Sequence, residues 1–165
     1  MDPSRSRWPA PTASGTTSPP SAEPAFSPFA ISADQWRAVL TERPNVILLG
    51  THAATDAVLK ALEPRLTRPV WRSCARTGFA LPPGPGAFVL HQLSGLSAIR
   101  QVHLLEWLTA IEEKAHVQVV STTASPIFPL VERGAFLPDL YFRLNGLTLD
   151  LDPATASRWP AGALS

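Results

Sequence analysis

Val117 to Leu151 reads VQVVSTTASPIFPLVERGAFLPDLYFRLNGLTLDL, and this stretch decides the fold. An apolar run (Val117, Val119, Val120) gives way to small polar residues at Ser121, Thr122 and Thr123. A short helical piece follows and stops at Gly134. A second, Pro138 to Asn145, stops at Gly146, and an alternating apolar run (Leu147, Leu149, Leu151) closes the unit. Strand, loop, helix, helix, strand is the grammar of an α/β sheet.

Working outward, the same grammar covers most of the chain. Ser32 followed by Gln35 is a capping-box pattern, and Trp36, Val39 and Leu40 give a helical stripe that Arg43-Pro44 ends. Asn45–Leu49 is a short apolar strand ended by Gly50, and Asp56 to Leu62 is a helical segment with Val58, Leu59 and Leu62 to pack on the sheet. Val70–Ser73, Ala87–Leu90, Gln118–Ser121 and Leu147–Leu151 supply four more strands. Ser97 to Lys114 is the longest helix, with Ala98, Val102, Leu105 and Leu108 on one face and Leu104 and Ile111 widening it. Trp107 reads as core or rim packing, and Glu112, Glu113 and Lys114 as a solvated end. Apolar runs of this kind suit parallel strands covered on both faces.

Several of these stretches resemble one family. Phe136, Asp139, Leu140, Tyr141, Arg143, Leu144 and Asn145 resemble the F-R-x-D-L-Y-Y-R-L-N signature of the AAA+ domain of sigma-54-dependent transcription activators. Gln101, Leu104, Leu105 and Leu108 match a Q-x-x-L-L-x-x-L pattern. Arg68 to Ala75 resembles a strand ending in Asn-Cys-Ala, with Ser73 in place of the Asn and Cys74 on the Cys. Gly86 to Leu96 (GAFVLHQLSGL) resembles the Walker B strand G-T-L-F-L-D-E-I-G-E-L. The resemblance covers roughly residues 30 to 151. It implies a single P-loop/AAA+-like three-layer α/β domain with a five-stranded, mostly parallel sheet, here without a counterpart of the helical lid.

The motifs that carry the family's chemistry are altered. A phosphate loop needs G-x-x-x-x-G-K-[ST]: glycines that let backbone N–H groups cradle phosphates, a Lys for their oxygens and a hydroxyl for magnesium. Gly50 is present, but Thr55, Asp56 and Ala57 stand where the second Gly, the Lys and the hydroxyl belong. At an effective dielectric of ~20, two like charges ~4 Å apart repel by about 4 kcal/mol. A helix N-terminus favours an anion by only ~1 kcal/mol. Asp56 therefore reads as a first-turn residue serving the helix's own N–H groups. His91 and Gln92 take the Walker B Asp-Glu positions. Neutral imidazole is a poor ligand for a hard cation, and an amide cannot take a proton. His91 reads instead as a strand-end histidine hydrogen-bonded locally, and Cys74 as a small packed residue. By the resemblance, Ala124 replaces a sensor Asn, and Leu137 replaces the first of two arginines thought to act across a subunit interface. The second, Arg143, is retained, and it also reads simply as a cation near a helix C-terminus. Arg76 to Pro85, a Pro/Gly turn, stands where the family carries its sigma-54-contacting loop.

Composition narrows the rest. A chain of 165 residues that is 45% hydrophobic builds one real core. Net charge +1 without a Lys/Arg run marks no nucleic-acid or membrane surface. One cysteine rules out an internal disulfide, and four scattered histidines show no metal-ligand spacing. Neither a membrane span nor a secretory h-region is visible, so a cytoplasmic location is expected. Residues 1–29, rich in Pro, Ser and Thr, read as a disordered tail, 30–152 as the domain and 153–165 as a second tail.

The leading expectation is a pseudo-ATPase: no catalytic residues, no metal, no cofactor, and work done through protein contacts involving Phe136, Asp139, Tyr141 and Arg143. The expected partner is a second copy or an intact sigma-54 activator, with no direct nucleic-acid or membrane contact. A second reading is ATP binding without hydrolysis, through Gly50 and the following helix. A third is a docking domain of a signalling system unconnected with sigma-54.

Overall fold

The computed structural model describes residues 31–152; the two expected tails, 1–29 and 153–165, lie outside the described residues. Five strands, β1 (Val46–Leu49), β2 (Val70–Cys74), β3 (Ala87–His91), β4 (Gln118–Thr123) and β5 (Leu147–Asp150), form one sheet in the order β2-β3-β4-β1-β5. Every pairing is parallel. All five expected strands are present, with ends differing by one or two residues.

Parallel strands need crossovers, and these cover both faces. α1 (Ala33–Thr41) and α2 (His52–Leu62) pack on one face, over Val46, Leu48, Val89, Val120 and Leu149. α3 (Ala98–Glu112), α4 (Phe128–Glu132) and α5 (Pro138–Leu144) pack on the other, over Ile47, Phe88, Leu90 and Val119. The alternation is strict: neighbours along a strand point into opposite cores, as the two-residue period requires.

Local chemistry sets the element ends. The capping box at α1 is complete: Ser32 Oγ accepts from Gln35 N, and Gln35 Oε1 accepts from Ser32 N. Gly86, at φ +143°, opens β3, and a Cβ there would lie 2.2 Å from the Pro69 carbonyl oxygen, so only glycine fits. Asp139 lies in the first turn of α5 and Arg143 in the last, both complementary to the helix dipole.

Two expectations about helices need correction. α2 does not start at Asp56 but at His52, because Thr51 caps it, its hydroxyl accepting from Ala54 N at 3.3 Å. Asp56 is thus in the second turn. On α3, Ala98 and Val102 are exposed; the buried residues are Gln101, Leu104 and Leu108. The buried face is rotated because Gln101 turns inward. It donates to the carbonyls of Leu96 (3.0 Å) and Ala135 (3.1 Å) and accepts from Leu137 N (2.8 Å).

Topology marks the place for a site. β1 sends its connection to one face and its neighbour β4 to the other. Open parallel sheets bind ligands outside the carboxyl ends of strands at such a switch point.

Candidate functional site

A groove of about 440 Å³ opens to one side of this switch point, on the α2 face toward the carboxyl ends of β2, β3 and β4, with no β1 residue among its lining. One wall is α2, which turns His52, Asp56 and Lys60 toward it, continued by Glu63 just past its end; the opposite side is Arg72 and Cys74 from β2, His91 at the end of β3 with Gln92 after it, and Thr122 from β4. The fold therefore brings Asp56 together with His91 and Gln92, although 34 residues or more separate them in the chain.

The strand-to-helix turn at this groove is short. Between Leu49, the last residue of β1, and His52, the first of α2, stand only Gly50 and Thr51. Gly50 N donates to Thr123 O at 3.0 Å, and a Cβ on Gly50 would press on the Leu151 side chain at 3.0 Å. Positions 52 to 57 are helical throughout. Their inner N–H groups are used within the helix and do not face outward as a cradle. Thr55 is buried, its hydroxyl donating to His52 O at 3.0 Å, while Ala57 is exposed.

Two pairs of groups in the groove are matched. Arg72 Nη2 lies 2.8 Å from Glu63 Oε1, and His52 Nε2 lies 3.6 Å from Asp56 Oδ2, one helical turn away. Among the described residues, no group of three or more His, Cys, Asp and Glu side chains is placed to hold a metal ion.

His91 and Cys74 differ from their expected settings. The His91 ring has no hydrogen-bond partner among the described residues; it faces the groove, and burial lowers its pKa below 6.5, the Asp56 carboxylate acting in the opposite sense. Cys74 is partly exposed at the edge of the groove, in register with His91 on the neighbouring strand, and its thiol donates to Gln92 Oε1 at 3.4 Å. Hydrogen bonds from the Thr77 hydroxyl and the Arg76 backbone lower its pKa. Gln92 itself holds a left-handed backbone (φ 58°, ψ 49°), with its N–H donating to Thr122 Oγ1 at 3.3 Å.

The expected contact residues lie elsewhere, on the α4–α5 corner of the opposite face. Phe136 does not reach the surface: it is 2% exposed and belongs to the core, because the Ala135–Leu137 turn is drawn inward by Gln101. The surface is formed by Phe142 (67% exposed), Phe128 (47% exposed) and the partly buried Tyr141. Their rings meet in sequence, with centroids 5.9 Å apart for Phe128–Tyr141 and 5.4 Å for Tyr141–Phe142. Arg143 is paired with Glu112 of α3, so the end of α3 is not simply solvated. Asp139 is exposed. Ala124 is exposed just past β4, and Leu137 packs partly against the core.

Sequence reasoning missed Gln101 and Asn45 as tertiary ties. Asn45 accepts from Val119 N and donates to Arg143 O, both at 2.8 Å, joining the start of β1 to β4 and α5. The signal available was a polar residue inside an apolar pattern, at the first position of the Q-x-x-L-L match for Gln101.

Comparison with known proteins agrees with this geometry. Residues 76–154 match the sigma-54 interaction domain family. The HTH-type transcriptional regulatory protein TyrR of Enterobacter agglomerans is 34% identical over 87 residues, covering 47% of this chain and 17% of that protein. The pathogenicity locus probable regulatory protein HrpR of Pseudomonas syringae pv. syringae is 34% identical over 93 residues, covering 51% of this chain and 29% of that protein. The chain thus spans less than a third of the length of these relatives. NtrX of Brucella abortus in complex with ATP superposes with a TM-score of 0.56 at 18% identity, over 75% of this chain and 36% of NtrX, a likeness of fold. No helix among the described residues is long and apolar enough to cross a membrane.

Proposed function

We propose that this chain, an AAA+-like α/β domain related over residues 76–154 to the sigma-54 interaction domain of transcription regulators, is a pseudo-ATPase that acts through protein contacts. The observation that carries the reading is the start of α2 at His52, with only two residues between it and β1. A phosphate loop needs outward-facing N–H groups and a lysine. Here the segment is helix, and Asp56 and His52 face the groove. At the Walker B positions, His91 and Gln92 offer no carboxylate for a magnesium shell or for polarising water.

The contact surface in this reading is the α4–α5 corner, where Phe128, Tyr141 and Phe142 form an exposed aromatic cluster and Asp139 and Arg143 supply polar edges. Exposed apolar clusters of this kind mark interaction sites. The partner is a second copy of the chain or an intact sigma-54 activator, and nucleic acid is not contacted directly. The test has two arms. Phosphate release is followed at millimolar ATP with magnesium, and association is followed by light scattering with and without an intact activator. Absence of turnover, together with association lost in Phe128→Ser/Phe142→Ser, supports the reading. Turnover above the blank removes it.

A second reading, nucleotide binding without hydrolysis, rests on Gly50 and the adjacent helix start at the sheet's switch point. Saturable ATP or ADP binding with no turnover would favour it.

A further inference from the structure

The two sides of the sheet carry opposite charge. On the β2 side, residues 60–76 hold five cations, Lys60, Arg65, Arg68, Arg72 and Arg76, against one acid, Glu63. All five cations are exposed. Arg72 is paired with Glu63, while Lys60, Arg65, Arg68 and Arg76 have no ion pair among the described residues. On the β5 side, residues 128–152 hold four acids, Glu132, Asp139, Asp150 and Asp152, against Arg133 and Arg143. Arg143 is already paired with Glu112. Edge strands β2 and β5 stand four strand spacings apart, about 19 Å.

We infer that a second copy of this chain docks head to tail, the basic β2 edge of one copy seated on the acidic, aromatic α4–α5 corner of the next. The inference rests on the reading of that corner as the contact surface, and it selects the second copy as the occupant.

Charge complementarity decides the arrangement. A twofold contact centred on either edge would set that edge against itself, Arg65 and Arg68 facing cations or Glu132 and Asp139 facing acids, and like charges across an interface repel. Seating the β2 edge on the α4–α5 corner brings opposite charges together instead. The corner also suits arginine. Phe142 is 67% exposed, with the Tyr141 ring centroid 5.4 Å from its own, and a guanidinium stacks on the faces of such rings. Arg65 and Arg68, exposed and without an ion pair among the described residues, are able to do so. Each added copy leaves one basic edge and one corner unfilled, so the contact repeats, running on or closing into a ring.

The test is sedimentation velocity on the full chain. Arg65→Glu/Arg68→Glu reverses the basic edge, and Glu132→Lys/Asp139→Lys reverses the acidic corner; all four side chains are exposed, and circular dichroism checks the fold. The parent is expected to associate beyond the dimer as concentration rises. That association should weaken on the order of tenfold between about 0.1 M and about 1 M salt, as the screening length shrinks. Each reversed variant alone should stay monomeric. An equal mixture of the two should associate again, because each offers the sign that the other lacks. A parent association unchanged in Arg65→Glu/Arg68→Glu overturns the inference; its loss in Phe128→Ser/Phe142→Ser would then leave the α4–α5 contact itself standing. A mixture that stays monomeric overturns the inference too. So does a monomeric parent, whether it joins an intact activator, binds a short DNA duplex through its basic edge, or does neither.

Discussion

His52 and Asp56 stand one turn apart on the same side of α2, Nε2 to Oδ2 at 3.6 Å, at the strand end where a phosphate loop would open. Their placement follows from Thr51. Its hydroxyl caps the helix at once, and Ala53 and Ala54 propagate it. What stands after β1 is therefore a helical wall with an imidazole and a carboxylate on it.

The cap is testable by itself. Thr51→Ala should cost about 1 kcal/mol of stability, the usual loss for an N-cap hydroxyl, read as a lower urea midpoint with an unchanged slope. Thr51→Ser should restore most of it.

Gln101 is the polar tie under the α4–α5 corner. It is 3% exposed and serves three backbone groups. Gln101→Leu keeps the approximate volume but leaves Leu137 N and two carbonyls without that partner. A loss of roughly 2–3 kcal/mol is expected, together with faster hydrogen exchange at Leu137. Unchanged exchange at Leu137 would contradict the assignment.

Ser121 gives the opposite sign. It is 1% exposed on β4, between Ile47 and Leu90 in the register, and its hydroxyl has no hydrogen-bond partner among the described residues. Ser121→Ala removes a desolvated hydroxyl and should stabilise by about 1 kcal/mol, measurable as a raised denaturation midpoint.

His91 sets a pH dependence. Its folded pKa lies below 6.5 because burial disfavours the imidazolium. As pH falls through 6.5, the unfolded chain takes up the proton first, so stability falls until the folded pKa is passed. Stability measured from pH 8 to pH 5 should decline over that interval, and His91→Gln should flatten the decline.

Much of this fold is legible because parallel strands announce themselves as apolar runs, and all five strands carry one. The family signature around Tyr141 and Arg143 lies on α5 as expected. What failed to show were polar residues turned inward. Gln101 and Asn45 look like surface residues until a distant backbone group claims them, and Gln101 rotated the reading of α3 away from Ala98 and Val102. Membership of the signature points to Phe136 as a contact residue, whereas its burial depends on the turn that Gln101 pulls in. Phosphate-loop spacing points to Asp56 in the first helical turn, whereas α2 already starts at His52. Thr51, a hydroxyl two residues past the end of β1, is the competing and stronger cap. The Cys74–His91 pairing needed the register of β2 against β3, which no local pattern encodes.

The pseudo-ATPase proposal requires that the groove beside α2 is not a nucleotide site. Calorimetric titration of the chain with ATP and magnesium tests it most directly, with Asp56→Lys in parallel. The account predicts no binding heat at millimolar nucleotide for either protein, since restoring the lysine does not restore a loop where α2 has already begun. Saturable micromolar binding to the parent chain would contradict it.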